Sequence, residues 1–338
     1  MSREGRIHRA PLAFAALITV VVGAGGGAGV YFAADRQEQS VERVEGVGEV
    51  LDANDGQAEN YLIVGSDSRA DLPDEDQEAP GSRSDSIMIL RRDPDGGAAL
   101  LSIPRDLWVP IAGTGDSWKI NAAFNGGADR LIQTIQSALG IRINHYIEVD
   151  FDGFSRLVDT FGGVEVCVPN AAQDSGSGLS IEAGCQTLPG PQALAFVRSR
   201  HYEEWIDGDW VEDGKNDFGR MERQQMFLRA AAQAVLDELK SNPFLLGNLL
   251  EAAGGLVSFD PGLDLYDAAE SIRAAFQEGM RTFSLPAVQA WHGDQDALDV
   301  SEAEAAPILA YFRGEGPLPP EAVPATTTSD DDGDGDGE

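Results

Sequence analysis

Positive charge is scarce in this sequence. The 338-residue chain carries 57 acidic residues against 24 basic ones, a formal net charge of −33. A field of that sign repels nucleic-acid backbones, so nucleic acid is excluded as a partner. Histidine is limited to four, at positions 8, 145, 201 and 292, and no two stand at metal-ligand spacing. The HExxH, GxSxG and phosphate-loop patterns are missing, which removes zincin, serine-elbow and nucleotide-loop chemistry. Cysteine is reduced to Cys167 and Cys185, without a CxxC pattern. There is no internal repeat.

What is present begins with a membrane signal. Arg3, Arg6 and Arg9 precede an uncharged stretch, residues 10–34, rich in apolar residues. About 20 apolar residues span a bilayer core. The basic flank puts residues 1–9 in the cytoplasm and everything after the span outside. A cleavable signal peptide is the other reading of the same stretch; its length favours an anchor. In an extracytoplasmic setting the two cysteines, which flank a Gly/Ser-rich loop, read as a disulfide.

Residues 35–58 are polar and acidic and read as an extracytoplasmic linker. Strand-like segments follow in "YLIVGS", "SIMILRR" and "AALLSIP". In "GGADRLIQTIQSALG" the residues Leu131, Ile132, Ile135 and Leu139 share a helical face. "HYIEVD" and "GGVEVCV" read as strands around a helix in "FDGFSRLVDTF". A longer helix is expected from about Gly219 to Lys240, with Asp217 as its N-cap. Further helices are expected at 243–253, 265–279 and 301–313, and a late strand in "RTFSLP". Alternating strands and helices predict an α/β fold, a layered α-β-α domain with a central mixed β-sheet, preceded by one transmembrane helix. Residues 316–338 turn to Pro, Thr, Asp and Gly and read as a disordered acidic tail. Its "DGDGDG" lacks the calcium-loop pattern.

The few basic residues are clustered. Arg69, Arg83, Arg91, Arg92, Arg105 and Lys119 fall between Tyr61 and Ile120; Arg198, Arg200, Lys215, Arg220 and Arg223 fall within the next cluster. Several stand at strand or helix ends, where α/β domains build ligand sites. In an extended "FVRSRH", Arg198 and Arg200 point to one side. On the long helix Arg220, Arg223 and Gln224 share a face, near a positive dipole end. Guanidiniums bind phosphate oxygens in pairs, and a pyrophosphate engages several at once. The competing reading pairs each arginine with a surface carboxylate. Asp67 and Asp85, at the ends of neighbouring strands, have two readings also: hard oxygen ligands for Mg²⁺, or turn and cap chemistry. His201 follows the arginine pair, where it reads as a structural histidine or a substrate contact.

Seven short motifs then occur in order: "LIVGSDSR", "RSDSIMILRRD", "LLSIPRDLWV", "KINAAF", "DFDGFSRLVDTFGGVEV", "LPGPQALAFVRSRH" and "DFGRMERQQ". Together they resemble the LytR–CpsA–Psr family, and the cysteine pair resembles its actinobacterial members. The resemblance implies a membrane-anchored extracytoplasmic transferase over residues 59–315. Such enzymes move a glycopolymer from a polyprenyl-pyrophosphate carrier onto peptidoglycan, forming a phosphodiester. The resemblance implies Mg²⁺ on Asp67 and Asp85. It implies pyrophosphate contacts from Arg83, Arg105, Lys119, Arg198, Arg200, Arg220 and Gln224, with the prenyl chain in a hydrophobic pocket. Asp67, Asp85, Arg105, Arg198 and Arg200 form its catalytic set. Arabinogalactan, teichoic acid and capsule are all open as the polymer. The alternatives are a non-catalytic polyprenyl-phosphate-binding regulator and a polyprenyl-pyrophosphate hydrolase. One departure is the acidic segment "YEEWIDGDWVEDGKN", with Trp205 and Trp210. It reads as a lid or acceptor-contact loop, or as a mobile surface loop.

Overall fold

The structure is a computed structural model that describes residues 42–67, 83–94, 97–160, 162–241, 257–264 and 280–320. The expected transmembrane helix 10–34, the helices at 243–253 and 265–279, and the tail from 321 lie outside the described residues. Among the described residues no helix is long and apolar enough to cross a membrane.

In chain order, β1 (Glu42–Arg43), β2 (Glu59–Asp67), β3 (Arg83–Arg92) and β4 (Ala98–Ile103) come first. Two short strands follow, β5 (Trp108–Pro110) and β6 (Ser117–Lys119), then a 3-10 helix over Ile120–Gly126 and α1 (Ala128–Leu139). β7 (His145–Asp150) leads into α2 (Phe151–Thr160). Next are β8 (Val164–Val168), β9 (Ala172–Asp174), β10 (Leu179–Ile181), β11 (Gly184–Leu188) and α3 (Gly190–Arg198). A hairpin of β12 (Glu203–Ile206) and β13 (Asp209–Glu212) precedes α4 (Asn216–Ser241). The described chain closes with β14 (Val257–Phe259), β15 (Arg281–Ser284), β16 (Ala287–His292), β17 (Gln295–Val300) and α5 (Glu302–Arg313).

Seven strands form one sheet in the order β1-β14-β7-β2-β3-β4-β15. β2 pairs β7 in parallel and β3 antiparallel, so the sheet is mixed as expected. Alternation along the strands fills both faces. Leu62, Val64, Ile87 and Ile89 pack toward α1 and α5, against Leu131, Ile135, Leu309 and Phe312. Tyr61, Ile63, Met88 and Leu90 pack the opposite way, against Phe154, Phe196 and Phe227 of α2, α3 and α4. A strand buried on both faces reads as a continuous apolar run, which is why "YLIVGS" and "SIMIL" were legible.

Part of the segment expected as a linker is built into this domain. β1 adds to the sheet edge beside β14. Arg43 donates to the carbonyls of Asp260 and Leu263. Val47 is buried, and the Asp52 amide bonds the Ile143 carbonyl at 2.8 Å. Short strands with long-range partners leave no periodic trace, so a polar sequence hid them. Beyond α5 the packing also continues past the expected boundary, where Arg281 donates to the Pro319 carbonyl at 2.6 Å.

Cys167 and Cys185 form the expected disulfide, joining β8 to β11 at directly opposed positions. It closes a loop with a sequence separation of 18 that contains β9 and β10. Loops of that size yield about 3 kcal/mol on cross-linking in the chain-entropy treatment. Replacing Cys167 and Cys185 with serine is therefore expected to lower the urea midpoint by the equivalent of about 2–4 kcal/mol. Matched unfolding curves for the disulfide-bonded and serine forms check it; coincident curves would show that the bond constrains nothing.

Candidate active site

The site is built at one edge of the sheet, where β2 ends, β3 begins and β4 and β15 end. Loops that leave strand ends carry groups from distant segments to one place. β4 runs through Pro104 straight into Arg105 and Asp106. The Leu107 carbonyl accepts from the Ile120 amide and the Arg105 carbonyl from the Asn121 amide, which brings Lys119 alongside. α4 crosses the same edge. The Gln225 amide donates to Ser102 Oγ at 2.8 Å and to the Phe283 carbonyl at 3.1 Å, so the helix is bolted to β4 and β15.

Two carboxylates organise the basic residues. Asp217 lies within 4 Å of three guanidiniums: Arg200 Nε at 2.9 Å, Arg220 at 3.1 Å and Arg105 Nε at 3.7 Å. Asp106 takes Lys119 Nζ at 3.2 Å, Arg105 at 3.7 Å and Arg200 at 3.9 Å. Neither Asp217 oxygen is aligned for a hydrogen bond with these partners, so the contacts are ion pairs by distance. Asp217 and Arg220 are both buried, at 7% and 3% exposure, where ion pairs are little screened by salt. Four basic residues thus meet around two aspartates, on a chain whose net charge is −33.

Arg105, Lys119, Arg200 and Arg220 are thus brought together as expected. Arg198 is placed differently. "FVRSRH" is not an extended run: Arg198 is the last residue of α3, exposed, and only Ser199, Arg200 and His201 lie beyond the helix. Two-residue alternation does not apply there. Asp217 is also not the N-cap. α4 starts at Asn216, which takes a left-handed φ of 47°, so Asp217 lies in the first turn. A carboxylate there still suits the helix dipole, but its partners are the arginines.

Gln224 is held at both ends of its amide. Its Nε2 donates to the Val197 carbonyl at 3.1 Å, and its Oε1 accepts from Ser86 Oγ at 3.2 Å. It ties α3 and β3 to α4 under the site. Arg223, on the shared helical face, turns away from the cluster. It pairs with Asp213 at 2.9 Å, donates to the Ser199 carbonyl at 2.6 Å and lies over the Tyr202 ring at 4.4 Å. Burial, then the neighbouring Glu204, pushes the Tyr202 hydroxyl up to about 12, so it stays protonated. Arg91 and Arg92 serve the far end of β3, paired with Asp93 and Glu59.

Asp67 and Asp85 are described in backbone only. Gly65 pairs with Ser86 and Ser66 with Ser84, so Asp85 is the extra residue of a β-bulge. Asp67 pairs with Arg83 one step further. Bulges redirect side chains beside active sites. The register therefore places two carboxylate-bearing residues at one sheet end, a donor set of hard oxygens that fits Mg²⁺. The side chains of Asp67, Arg83 and Asp85 lie outside the described residues, as does Arg69. Among the described residues no three His, Cys, Asp or Glu side chains gather as a metal cluster.

Asp174 gave no sequence signal. It is buried on β9, and its Oδ2 accepts from Ser199 Oγ at 2.7 Å, the Arg200 amide at 2.9 Å and the His201 amide at 3.0 Å. One carboxylate thus fixes the loop that carries Arg200. His201 itself is exposed and contacts Glu212 at 3.0 Å.

Fold and site together define an α/β domain with a cluster of basic residues gathered around Asp106 and Asp217 at the strand ends. The chain belongs to the LytR_cpsA_psr family, whose model matches residues 27–311. It is 36% identical over 236 residues to a probable cell wall biosynthesis protein, LcpB, of Corynebacterium glutamicum, covering 67% of this chain and 54% of that one. It is 38% identical over 173 residues to TagU of Bacillus mycoides, a polyisoprenyl-teichoic acid–peptidoglycan teichoic acid transferase, covering 51% and 50%. The chain spans about half the length of these curated relatives. The solved LytR-Csp2A-Psr enzyme from Actinomyces oris superposes with a TM-score of 0.64 at 26% identity, over 80% of this chain and 94% of that one.

Burial raises the Asp174 carboxyl pKa, but the bonds from Ser199, His201, Arg200 and Gly176 outweigh it and leave it lowered from its ordinary 3.8. Between the folded and the unfolded values the unfolded chain then binds more protons than the folded one. The stability contributed is full above the unfolded value, about 3.9, and is lost as pH falls through the folded one. Asp174→Asn is expected to flatten this part of the acid limb and to cost about 1–3 kcal/mol at neutral pH. Urea midpoints measured from pH 7 to 2 check it; an unchanged acid limb would contradict it.

Proposed function

We propose that this protein is an extracytoplasmic phosphotransferase that moves a glycopolymer from a polyprenyl-pyrophosphate carrier onto peptidoglycan. The observation that carries the reading is the convergence of Arg105, Arg200 and Arg220 on Asp217 from three segments of the chain. Preorganised guanidiniums at a strand edge suit the diphosphate of a lipid-linked donor. Membership of the family and similarity to TagU, a polyisoprenyl-teichoic acid–peptidoglycan teichoic acid transferase, support the same donor and acceptor classes.

In this reading Arg105, Arg200 and Arg220 grip the diphosphate, with Lys119 and Arg198 at its margin. Asp106 and Asp217 hold the guanidiniums in place before the donor arrives. Gln224 braces the helix that presents Arg220, rather than itself orienting a phosphate oxygen. Arg83 adds a further cation from the start of β3. An acceptor sugar hydroxyl attacks the phosphorus next to the glycan. The new phosphate–oxygen bond forms, the bond to the bridging oxygen breaks, and polyprenyl phosphate leaves with the negative charge. The hydroxyl proton passes to a carboxylate, for which Asp67 is the candidate. Asp67 and Asp85 would hold Mg²⁺, which supplies charge neutralisation at the diphosphate when bound. Protein groups form no covalent bond, so positioning and electrostatics dominate. The anchor at 10–34 places the domain at the membrane surface where the lipid donor lies.

Removing one donor to a transition-state oxyanion costs about 10²–10³ in rate. Arg105→Ala and Arg200→Ala are expected to fold and to lose that much glycan transfer, followed by release of polyprenyl phosphate from a lipid-linked donor. Wild-type turnover by both would remove the assignment. Chelation by EDTA should suppress transfer and added Mg²⁺ restore it; full turnover in chelator would leave Asp67 and Asp85 without a metal role. Product release without acceptor, at an undiminished rate, would point to a hydrolase.

A further inference from the structure

The acidic segment between Arg200 and Asp217 is a built element. β12 and β13 pair as Glu203 with Glu212, Trp205 with Trp210 and Ile206 with Asp209. The two-residue turn has Asp207 at φ 53° and Gly208 at φ 97°, the left-handed pair that a tight hairpin requires. Its root is clamped by Arg223, which joins Asp213, Tyr202 and Ser199. β12 adds to β9 through Glu203 and Glu204, and the Trp205 amide donates to the Ala171 carbonyl at 2.8 Å; the turn at Asp207 and Gly208 lies beyond this pairing. The sequence left a lid or acceptor-contact loop and a mobile surface loop equally open; the structure shows a paired hairpin with Trp205 opposite Trp210.

The tip exposes an aromatic face. Trp205 and Trp210 lie edge to face with centroids 5.2 Å apart and are 46% and 40% exposed. Glu203 and Glu212, each two residues from a tryptophan, stand on that same face. The stretch 202–214 carries six carboxylates and no basic residue. Exposed aromatic area of this kind marks an interaction surface, and its charge selects the partner. An anionic bilayer and a phosphate-rich polymer are both repelled. A neutral polysaccharide is not: its C–H faces lie on indole rings and its hydroxyls donate to carboxylates, which only accept.

We infer that this hairpin is the platform for the acceptor, an uncharged, hydroxyl-rich glycan strand. The inference rests on the transferase reading for the word acceptor. Position supports it, since the hairpin springs directly from Arg200 and returns directly into Asp217, both members of the cluster at the strand ends. The two substrates are thereby sorted by charge: the phosphorylated donor goes to the arginines, the neutral acceptor to the tryptophans.

The test uses the full-length chain in detergent micelles, with Trp205→Ala, Trp210→Ala and the conservative Trp205→Phe. Circular dichroism and thermal unfolding confirm the fold of each. An N-acetylglucosamine oligomer is titrated by calorimetry, and transfer is measured against acceptor and donor concentration. Expected is a loss of oligomer binding and a rise in acceptor KM of at least about tenfold in the alanine variants. Donor KM stays unchanged and Trp205→Phe is partly retained. Binding to phosphatidylglycerol vesicles or to oligolysine that depends on the tryptophans, in place of oligomer binding, would overturn the inference. So would a rise in donor KM alone, or unchanged behaviour throughout. Tryptophan-dependent oligomer binding in a chain that transfers nothing would sustain the platform and defeat the transferase reading.

Discussion

The site depends first on one of its two organising carboxylates. Asp217 stands among Arg105, Arg200 and Arg220, all within 4 Å of it. Without it buried Arg220 loses a counterion at 3.1 Å, and Arg105 and Arg200 are left with their longer contacts to Asp106. Breaking a buried ion pair costs about 3–5 kcal/mol, largely because a charge is left uncompensated. With it, the side chains are held converged before any ligand arrives. A bound anion then does not have to assemble its own site, and less ordering entropy opposes binding.

The supports of that carboxylate reach far into the fold. Gln225 locks α4 onto β4 and β15. Asp174 fixes the backbone of Arg200, and the Cys167–Cys185 bond closes the loop in which Asp174 sits. Arg223 clamps the root of the tryptophan hairpin next to both. A disulfide, a buried acceptor and a helix–sheet bolt thus act on the same few ångströms. On a chain of net charge −33, this concentration of structure holds four of the few basic residues together.

Much of the scaffold was legible in the residues. Runs such as "YLIVGS" betray strands buried on both faces, and the spacing of Leu131, Ile132, Ile135 and Leu139 betrays α1. The cysteine pair was legible from its setting. Arginines at element ends pointed to an anion site, and the structure gathers Arg105, Lys119, Arg200 and Arg220. What stayed hidden was partnership. Asp106 and Asp217 were visible in "SIPRD" and "DFGRMERQQ", but nothing in one dimension tells a cap from an organising counterion. Arg198 was misplaced because a helix end and an extended run look alike over three residues. Asp174 bonds residues 25 to 27 positions away, and β1 pairs across more than 200, so neither leaves a local pattern.

The most direct test of the central claim is calorimetric titration of geranylgeranyl diphosphate, its monophosphate and the free alcohol into the wild-type chain and Arg220→Gln. A cage of converged guanidiniums predicts that affinity falls at least about tenfold with each phosphate removed, since a charge-assisted bond contributes about 1.5–3 kcal/mol. It also predicts that Arg220→Gln erodes the advantage of the diphosphate most. Equal affinities for the three ligands, or a variant that keeps the full diphosphate preference, would contradict it.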